Sequence, residues 1–245
     1  MFRSLAKTLT TICLLSATSF AIPAGIPLAR ADQAAPTSVR ASYKVYKAGI
    51  WIGTVEEQFS REGDHYKIVS TTDTAGPLRV FLRDRLTVTS EGTVSRAGLK
   101  PNSYEFTRRD NQKKNISAAF DWDRQQILSH HSGEDEAFDL PPGTQDRVSA
   151  MYQFMFNIPR STEVSLWMSQ GKKAEQYRYR KIDEPVLTIN NELFATVYYA
   201  RDARQGESKA HLWLAKDRYY LPVKIVFEDA HGASLEQLLV ALHTE

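Results

Sequence analysis

Four groups of side chains in this 245-residue chain have the types and spacing that chemistry would need. The first is Asp146-x-x-Ser149, an acid three residues ahead of a hydroxyl. A serine nucleophile needs a base and an orienting acid, yet no histidine lies nearby in sequence and no Gly-x-Ser-x-Gly turn exposes the hydroxyl. The pair fits the start of a helix better. Thr144 or Asp146 would accept from the free N–H groups of the first turn, and Val148, Met151, Tyr152 and Met155 fall at i, i+3, i+4 and i+7 as its buried stripe. The second group is His130, His131, Glu134, Asp135 and Glu136, with His65, whose imidazoles and carboxylates suit a divalent ion. Neighbouring residues of a strand point to opposite faces, so His130 and His131 reach one ion only if the backbone turns. A solvated turn without metal is the expectation.

The third group is Gln176, Arg178 and Arg180, which share one face of a strand while Tyr177 and Tyr179 take the other. These arginines, or Arg79 and Arg83, are placed to meet phosphate or carboxylate. The fourth, Arg108 to Asn115 (RRDNQKKN), reads as a solvated hairpin tip, as charge runs usually do. No P-loop, dinucleotide fingerprint or His-Glu-x-x-His zinc motif occurs. No catalytic residue, metal or cofactor is therefore assigned, and an envelope hydrolase ranks below any binding role.

The elements that must position these groups are strands. Ala41, Tyr43 and Val45 alternate with polar neighbours, and Trp51, Gly53, Val55, Glu57 and Phe59 share a face of the next run. Arg61 to Asp64 is a turn, and Tyr66, Ile68 and Ser70 begin a third strand. Strand-length segments with turn signals every 8 to 12 residues, continuing past Glu163 to the last hairpin, predict an antiparallel sandwich or open barrel. The final segment, Ser234 to Glu245, fits a helix or a strand, and pairing back across His231-Gly232 favours the strand. Leu140 to Phe156 interrupts the rhythm. Pro141-Pro142-Gly143 ends a strand, and one main helix over Asp146 to Phe156 is expected on a face of the large curved sheet.

The ends bound the compartment. Arg3 and Lys7, an apolar run from Leu9 to Ile22, and Ala29-Arg30-Ala31 form a secretory signal peptide, with cleavage expected after Ala31. The run is shorter than the roughly 20 apolar residues of a membrane-spanning helix, so the mature chain is not expected to span a membrane. Cys13, the single cysteine, lies inside that run. The mature chain, residues 32–245, would then carry no disulfide, no thiol nucleophile and no cysteine metal site. Its 28 basic residues face 29 acidic ones, so the +2 charge of the whole chain becomes −1. Neither charge nor export suggests a nucleic acid partner. A disordered tether over residues 32–39 and one β-rich domain over 40–245 complete the expected organisation.

Several short motifs resemble a known family. They are Tyr43-Lys44-Val45 with Gly53, Gly98-Leu99-Lys100-Pro101, Asp146-Arg147-Val148-Ser149-x-x-Tyr152, and Leu212-Trp213-Leu214-Ala215-Lys216-Asp217 followed by Leu221-Pro222-Val223-Lys224-Ile225. On these, the chain from about Tyr43 to Leu239 is similar to the exported, β-rich bacterial proteins called domain of unknown function 3108. Arg147-Val148 stands where that family has Pro-Leu. The resemblance implies no activity and no site residues.

A curved sheet rich in tyrosine, phenylalanine and tryptophan, without a catalytic constellation, points to binding. The expected function is to bind or carry an apolar or amphiphilic envelope component in the periplasm, the helix serving as wall or lid of a β-lined groove. Val148, Met151, Tyr152, Met155, Trp51 and Phe81 are the candidate groove residues, with Arg79, Arg83, Arg178 and Arg180 as anion contacts. The alternative is a non-enzymatic interaction or scaffold module of envelope biogenesis, docking an envelope protein through a strand edge or charged face.

Overall fold

The computed structural model describes residues 34–76, 85–157, 161–204 and 206–245. The expected signal segment and the candidates Arg79, Phe81 and Arg83 lie outside these residues. Eight strands come first: β1 (Ser38–Lys47), β2 (Ile50–Glu62), β3 (His65–Thr74), β4 (Arg85–Ser95), β5 (Gly98–Arg108), β6 (Ile116–Asp121), β7 (Gln126–His131) and β8 (Glu134–Asp139). After a two-residue strand β9 (Gln145–Asp146) and a single helical turn α1 (Ser149–Tyr152) come β10 (Glu163–Ser169), β11 (Glu175–Asp183), β12 (Val186–Ile189), β13 (Glu192–Arg201), β14 (Lys209–Ala215), β15 (Leu221–Glu228) and β16 (Ser234–Thr244). β1 starts at Ser38, inside the stretch expected as a tether, because Thr37 and Ser38 donate to the Glu245 carbonyl at 2.7 and 3.0 Å.

All sixteen strands belong to one antiparallel system, apart from the parallel pairing of β9 with β10. Two meanders, β1 to β8 and β10 to β16, join where the last strand pairs with the first, Val39 opposite Thr244 through Lys47 opposite Leu235. The final segment is thus a strand, as its pairing across the turn predicts. The sheet then curls on itself. Gln145 Nε2 donates to the Leu99 carbonyl (2.8 Å), and the Leu99 amide donates to Gln153 Oε1 (2.7 Å), tying the β9 end to β5. The Gln153 and Asn157 side-chain amides both donate to the Ala97 carbonyl. On the turn after β10, Gly171 comes so close to β5 and β6 that a Cβ there would lie 2.7 Å from Ile116 Cγ2. Among the described residues side chains, not a backbone ladder, close the barrel, and β6 to β8 continue past the seam.

Period-two alternation builds the interior. Val39, Ala41 and Tyr43 of β1, Val55 and Phe59 of β2, and Tyr66 and Ile68 of β3 are all buried. The central segment lies between the two halves of this wall. Val148, Tyr152 and Met155 pack with Phe59, Tyr66, Ile68 and Tyr104 from the first meander, and Phe154 packs with Tyr179, Val197, Leu212 and Ile225 from the second. A third cluster seats Ile189 and Phe194 of the β12–β13 hairpin against Ala215, Val223 and Leu239.

This corrects the expected helix in extent. Only Ser149–Tyr152 is α-helical, and Gln153–Met155 continues as a 3-10 turn. Gln145 and Asp146 are taken by their pairing with Met168 and Ser169 of β10, so the helix cannot begin at Asp146. The segment packs on the inward face of the curved sheet, as expected, and fills the interior.

Candidate binding mouth

Two parts of the interior bear on function, a sealed floor and an open rim. The floor is the central segment with its buried polar groups. Asp146, fully buried, accepts the Val148 and Ser149 amides on Oδ1, both at 2.9 Å, and the Ser90 hydroxyl on Oδ2. The Ser149 hydroxyl accepts the Asp146 amide (2.9 Å), and Ser90 Oγ lies 3.0 Å from the Tyr66 hydroxyl. Asp146 therefore satisfies the first amides of the helical turn, the capping role its position implies, although it stands three residues ahead of Ser149, where the turn begins. Burial pushes the Asp146 carboxyl above its ordinary range, and the hydrogen bonds from Ser149, Ser90 and Val148 oppose that rise. Protonated, the carboxyl can reverse one bond, donating from Oδ2 to Ser90 Oγ, which then donates to Tyr66.

A second carboxylate faces the same interior. Glu57 accepts the hydroxyls of Tyr152 and Ser70, each at 3.2 Å. Part of its surface still meets solvent, yet burial is the leading cause that raises its pKa, against the two hydrogen bonds and the charge of Arg147. Neither carboxylate contacts a histidine, and Ser149 is a partner of Asp146 backbone with no accessible surface. The geometry is that of a satisfied core network, not of a nucleophile and its base.

The rim follows from register. Phe227 lies opposite Ala210 on β14 and Leu235 on β16, Leu235 lies opposite Lys47 on β1, and Lys47 lies opposite Ile50 on β2. Directly opposite residues share a face, and Phe227 stands two residues beyond Ile225, which is buried against Phe154. The row Ala210–Phe227–Leu235–Lys47–Ile50 therefore faces inward, at the end of the barrel where β1 turns into β2 and β15 into β16. Here burial stops. Ile50 is 57 % exposed, and Phe227 and Leu235 are each 41 % exposed. Three large apolar side chains in one inward-facing row meet solvent, and Lys47, whose charge also acts on Asp229, holds a position in the same row.

The residues singled out from sequence separate between these regions. Val148, Tyr152 and Met155 are buried in the floor, and Met151 bridges the clusters on either side of it. Trp51, expected on the face of Gly53 and Val55, is turned to the other. Val45 pairs with Gly53 but Tyr46 pairs with Trp51, so Ile52 is an extra residue and the bulge reverses the alternation beyond it. Trp51 is 38 % exposed, donates to the Gly53 carbonyl (2.8 Å) and carries Lys44 Nζ 5.5 Å from its ring centre. The same bulge turns Ile50 inward, a rim residue that alternation alone misses. Arg178 and Arg180 are exposed on β11 with Tyr179 buried behind them, and Arg180 pairs with Asp202 at 3.4 Å.

His130 and His131 end β7 and split between its faces, each held by one carboxylate of β8: His130 to Asp135 (2.7 Å) and His131 to Glu136 (3.0 Å). The turn is only Ser132-Gly133, so both histidines belong to a strand. Among the described residues no group of three His, Cys, Asp or Glu side chains is gathered to hold a metal ion. None of their helices is long and apolar enough to cross a membrane.

A family model described as "Protein of unknown function (DUF3108)" matches residues 41–239. The chain belongs to the DUF3108 family. The matched span of this DUF3108 protein runs from β1 into β16 and contains both floor and rim. Among solved structures it is similar to the beta-barrel-like DUF1849 protein from Brucella abortus, with a TM-score of 0.54 and 12 % identity, over 87 % of this chain and 100 % of that one. At that identity the likeness is one of fold. No curated protein matches the DUF3108 chain.

Proposed function

We propose that this DUF3108 protein is an exported, periplasmic binding protein for an apolar or amphiphilic component of the cell envelope, without covalent chemistry. The observation that carries this reading is the inward-facing row with Phe227, Leu235 and Ile50 in solvent. Apolar surface left in water costs about 25 cal/mol per Å², so covering this row with an acyl or similar chain is favourable. The packed floor limits how deep that chain goes. It seats at the mouth, with its polar head outside beside Lys47. Export rests on the basic start, apolar run and Ala-x-Ala site of residues 1–31. A separate anionic group of an envelope component would meet Arg178 and Arg180 on the outside of β11, away from the mouth, or Arg79 and Arg83 in the stretch of sequence between β3 and β4.

Native mass spectrometry of the protein released from the periplasm tests this directly. The expected result is the mature chain of residues 32–245 carrying an extra mass that organic extraction removes and identifies as amphiphile. A bare chain, together with no displacement of a fluorescent fatty acid added to purified protein, would sink the reading.

A further inference from the structure

The open edge of the sheet, on β8, carries an inference independent of the mouth. β8 ends the strand order, with β7 on one side and no strand on the other among the described residues. The phase of its ladder is fixed by the Leu140 amide donating to the Gln125 carbonyl at 2.9 Å, with Asp139 opposite Gln126 and Ala137 opposite Leu128. Bonded and non-bonded pairs alternate in an antiparallel ladder. Phe138 and Glu136 therefore bond to β7, while the N–H and C=O groups of Asp135, Ala137 and Asp139 point away from the sheet. Three residues at every second position present a complete set of partners for one more strand.

The surface beside this edge is shaped and charged. Ser103, Ala119, Leu128 and Ala137 form one cross-strand row of the outer face, and Glu105, Ser117, His130 and Asp135 form the next but one. The small side chains of Ser103, Ser117, Ala119 and Ala137 leave a shallow depression of about 610 Å³ that reaches the edge at Ala137 and Asp135, with Leu128 40 % exposed beside it. The strand itself reads Glu-Asp-Glu-Ala-Phe-Asp. Asp135 and Glu136 are bound to the two histidines of β7, and Glu134 and Asp139 form no ion pair among the described residues. Two such edges from two copies would bring carboxylates together, so a second copy is disfavoured. A cationic strand is the complementary partner.

We infer that β8 is a docking edge for an extended basic segment of another protein, which adds as a further strand. Cations opposite Asp135 and Asp139 flank a small or branched apolar residue opposite Ala137, whose side chain covers Leu128 in the depression. The pattern is basic-x-apolar-x-basic. Main-chain bonds supply the affinity and the flanking charges choose the sequence.

The test uses the purified mature protein and a synthetic peptide with the core Lys-Thr-Val-Thr-Lys, beside the same peptide with both lysines replaced by glutamate. Fluorescence anisotropy should show binding of the lysine peptide at least about tenfold tighter, weakening as salt rises. Amide exchange should slow at Asp135, Ala137 and Asp139. Ala137→Pro removes one outward N–H that the fold does not use and should abolish binding with the unfolding temperature held. The double variant Asp135→Lys, Asp139→Lys keeps every backbone group and should invert the peptide preference. Equal binding of the two peptides, or unchanged exchange at these three amides, would overturn the inference. So would a concentration-dependent dimer that Ala137→Pro disrupts, since the edge would then belong to a second copy.

Discussion

At the floor of the barrel each inward side chain has its place. Tyr152 stacks on Phe59 with ring centres 5.4 Å apart and donates to Glu57, and Asp146 holds three donors at once. Two residues further along β15 from the buried Ile225, Phe227 faces the same interior and keeps 41 % of its surface in water. The floor buries polar groups and gives most of them partners, Gln145 Oε1 being an exception, whereas among the described residues the rim exposes apolar groups and leaves them uncovered. A merely structural barrel gains nothing from the second arrangement, because the part of each apolar side chain left in water adds nothing to stability. If the rim binds as proposed, floor and rim answer to separate demands, one of folding and one of binding, and variants should separate them.

The largest effect is expected at Asp146. Replacing it by alanine strands the Val148 and Ser149 amides and the Ser90 hydroxyl in a buried place, and should cost about 3 kcal/mol or more in urea unfolding. Asp146→Asn should restore most of that, since its Oδ1 accepts the same amides and its Nδ2 donates to Ser90 as the protonated acid does. The pH dependence follows from the same group. Burial raises the carboxyl above its unfolded value, so between the two values the folded chain holds more protons than the unfolded one. Stability then falls as pH rises through the raised value. Denaturation curves from acid to neutral pH should show that decline in the natural chain and a flatter profile in Asp146→Asn. An equal decline in both would shift the cause to Glu57, whose carboxyl burial also raises.

A smaller effect belongs to Tyr152→Phe. The ring keeps its packing on Phe59, and only the hydroxyl bond to Glu57 is lost. A loss of about 1 kcal/mol is expected, the usual net worth of one such bond, read as a lower urea midpoint at unchanged slope. No loss would mean that solvent takes over the tyrosine's part, and the floor would then be less sealed than its packing suggests.

How much of this was legible in the sequence depends on which rule governs each part. Alternation reveals strands because a half-buried sheet must alternate, and it placed Tyr43, Val55, Phe59, Tyr66 and Ile68 on the inward face correctly. It failed at Trp51 and Ile50, because the extra residue Ile52 leaves no mark in polarity. The apolar spacing of Val148, Met151, Tyr152 and Met155 found the buried stripe but overstated the helix, since nothing local shows that Gln145 and Asp146 pair with β10, more than 20 residues downstream. The turn before β15 shows a similar limit. Tyr219 and Tyr220 both adopt positive φ there, a conformation that tyrosine side chains do not announce. The rim escaped for a different reason. Phe227 and Leu235 look like any other inward residues, and only the three-dimensional end of the barrel decides that none of the described residues covers them.

The least change in stability is expected at the rim, and it makes the sharpest cut between folding and binding. Phe227→Ser with Leu235→Ser removes two apolar side chains that already keep 41 % of their surface in solvent. Substitutions at such positions usually shift stability by about 0.5 kcal/mol or less, so the urea midpoint should stay near that of the natural chain. If the rim is a seat for an acyl chain, the same variant should lose co-purified amphiphile and bind a fluorescent fatty acid at least about tenfold more weakly, because each apolar contact with the chain is gone. The floor variant Tyr152→Phe should do the reverse, losing stability while still binding the probe. A rim variant that unfolds as readily as Asp146→Ala would mean that Phe227 and Leu235 are covered from within the chain. The contrast between a folding floor and a binding rim would then collapse into a single continuous core.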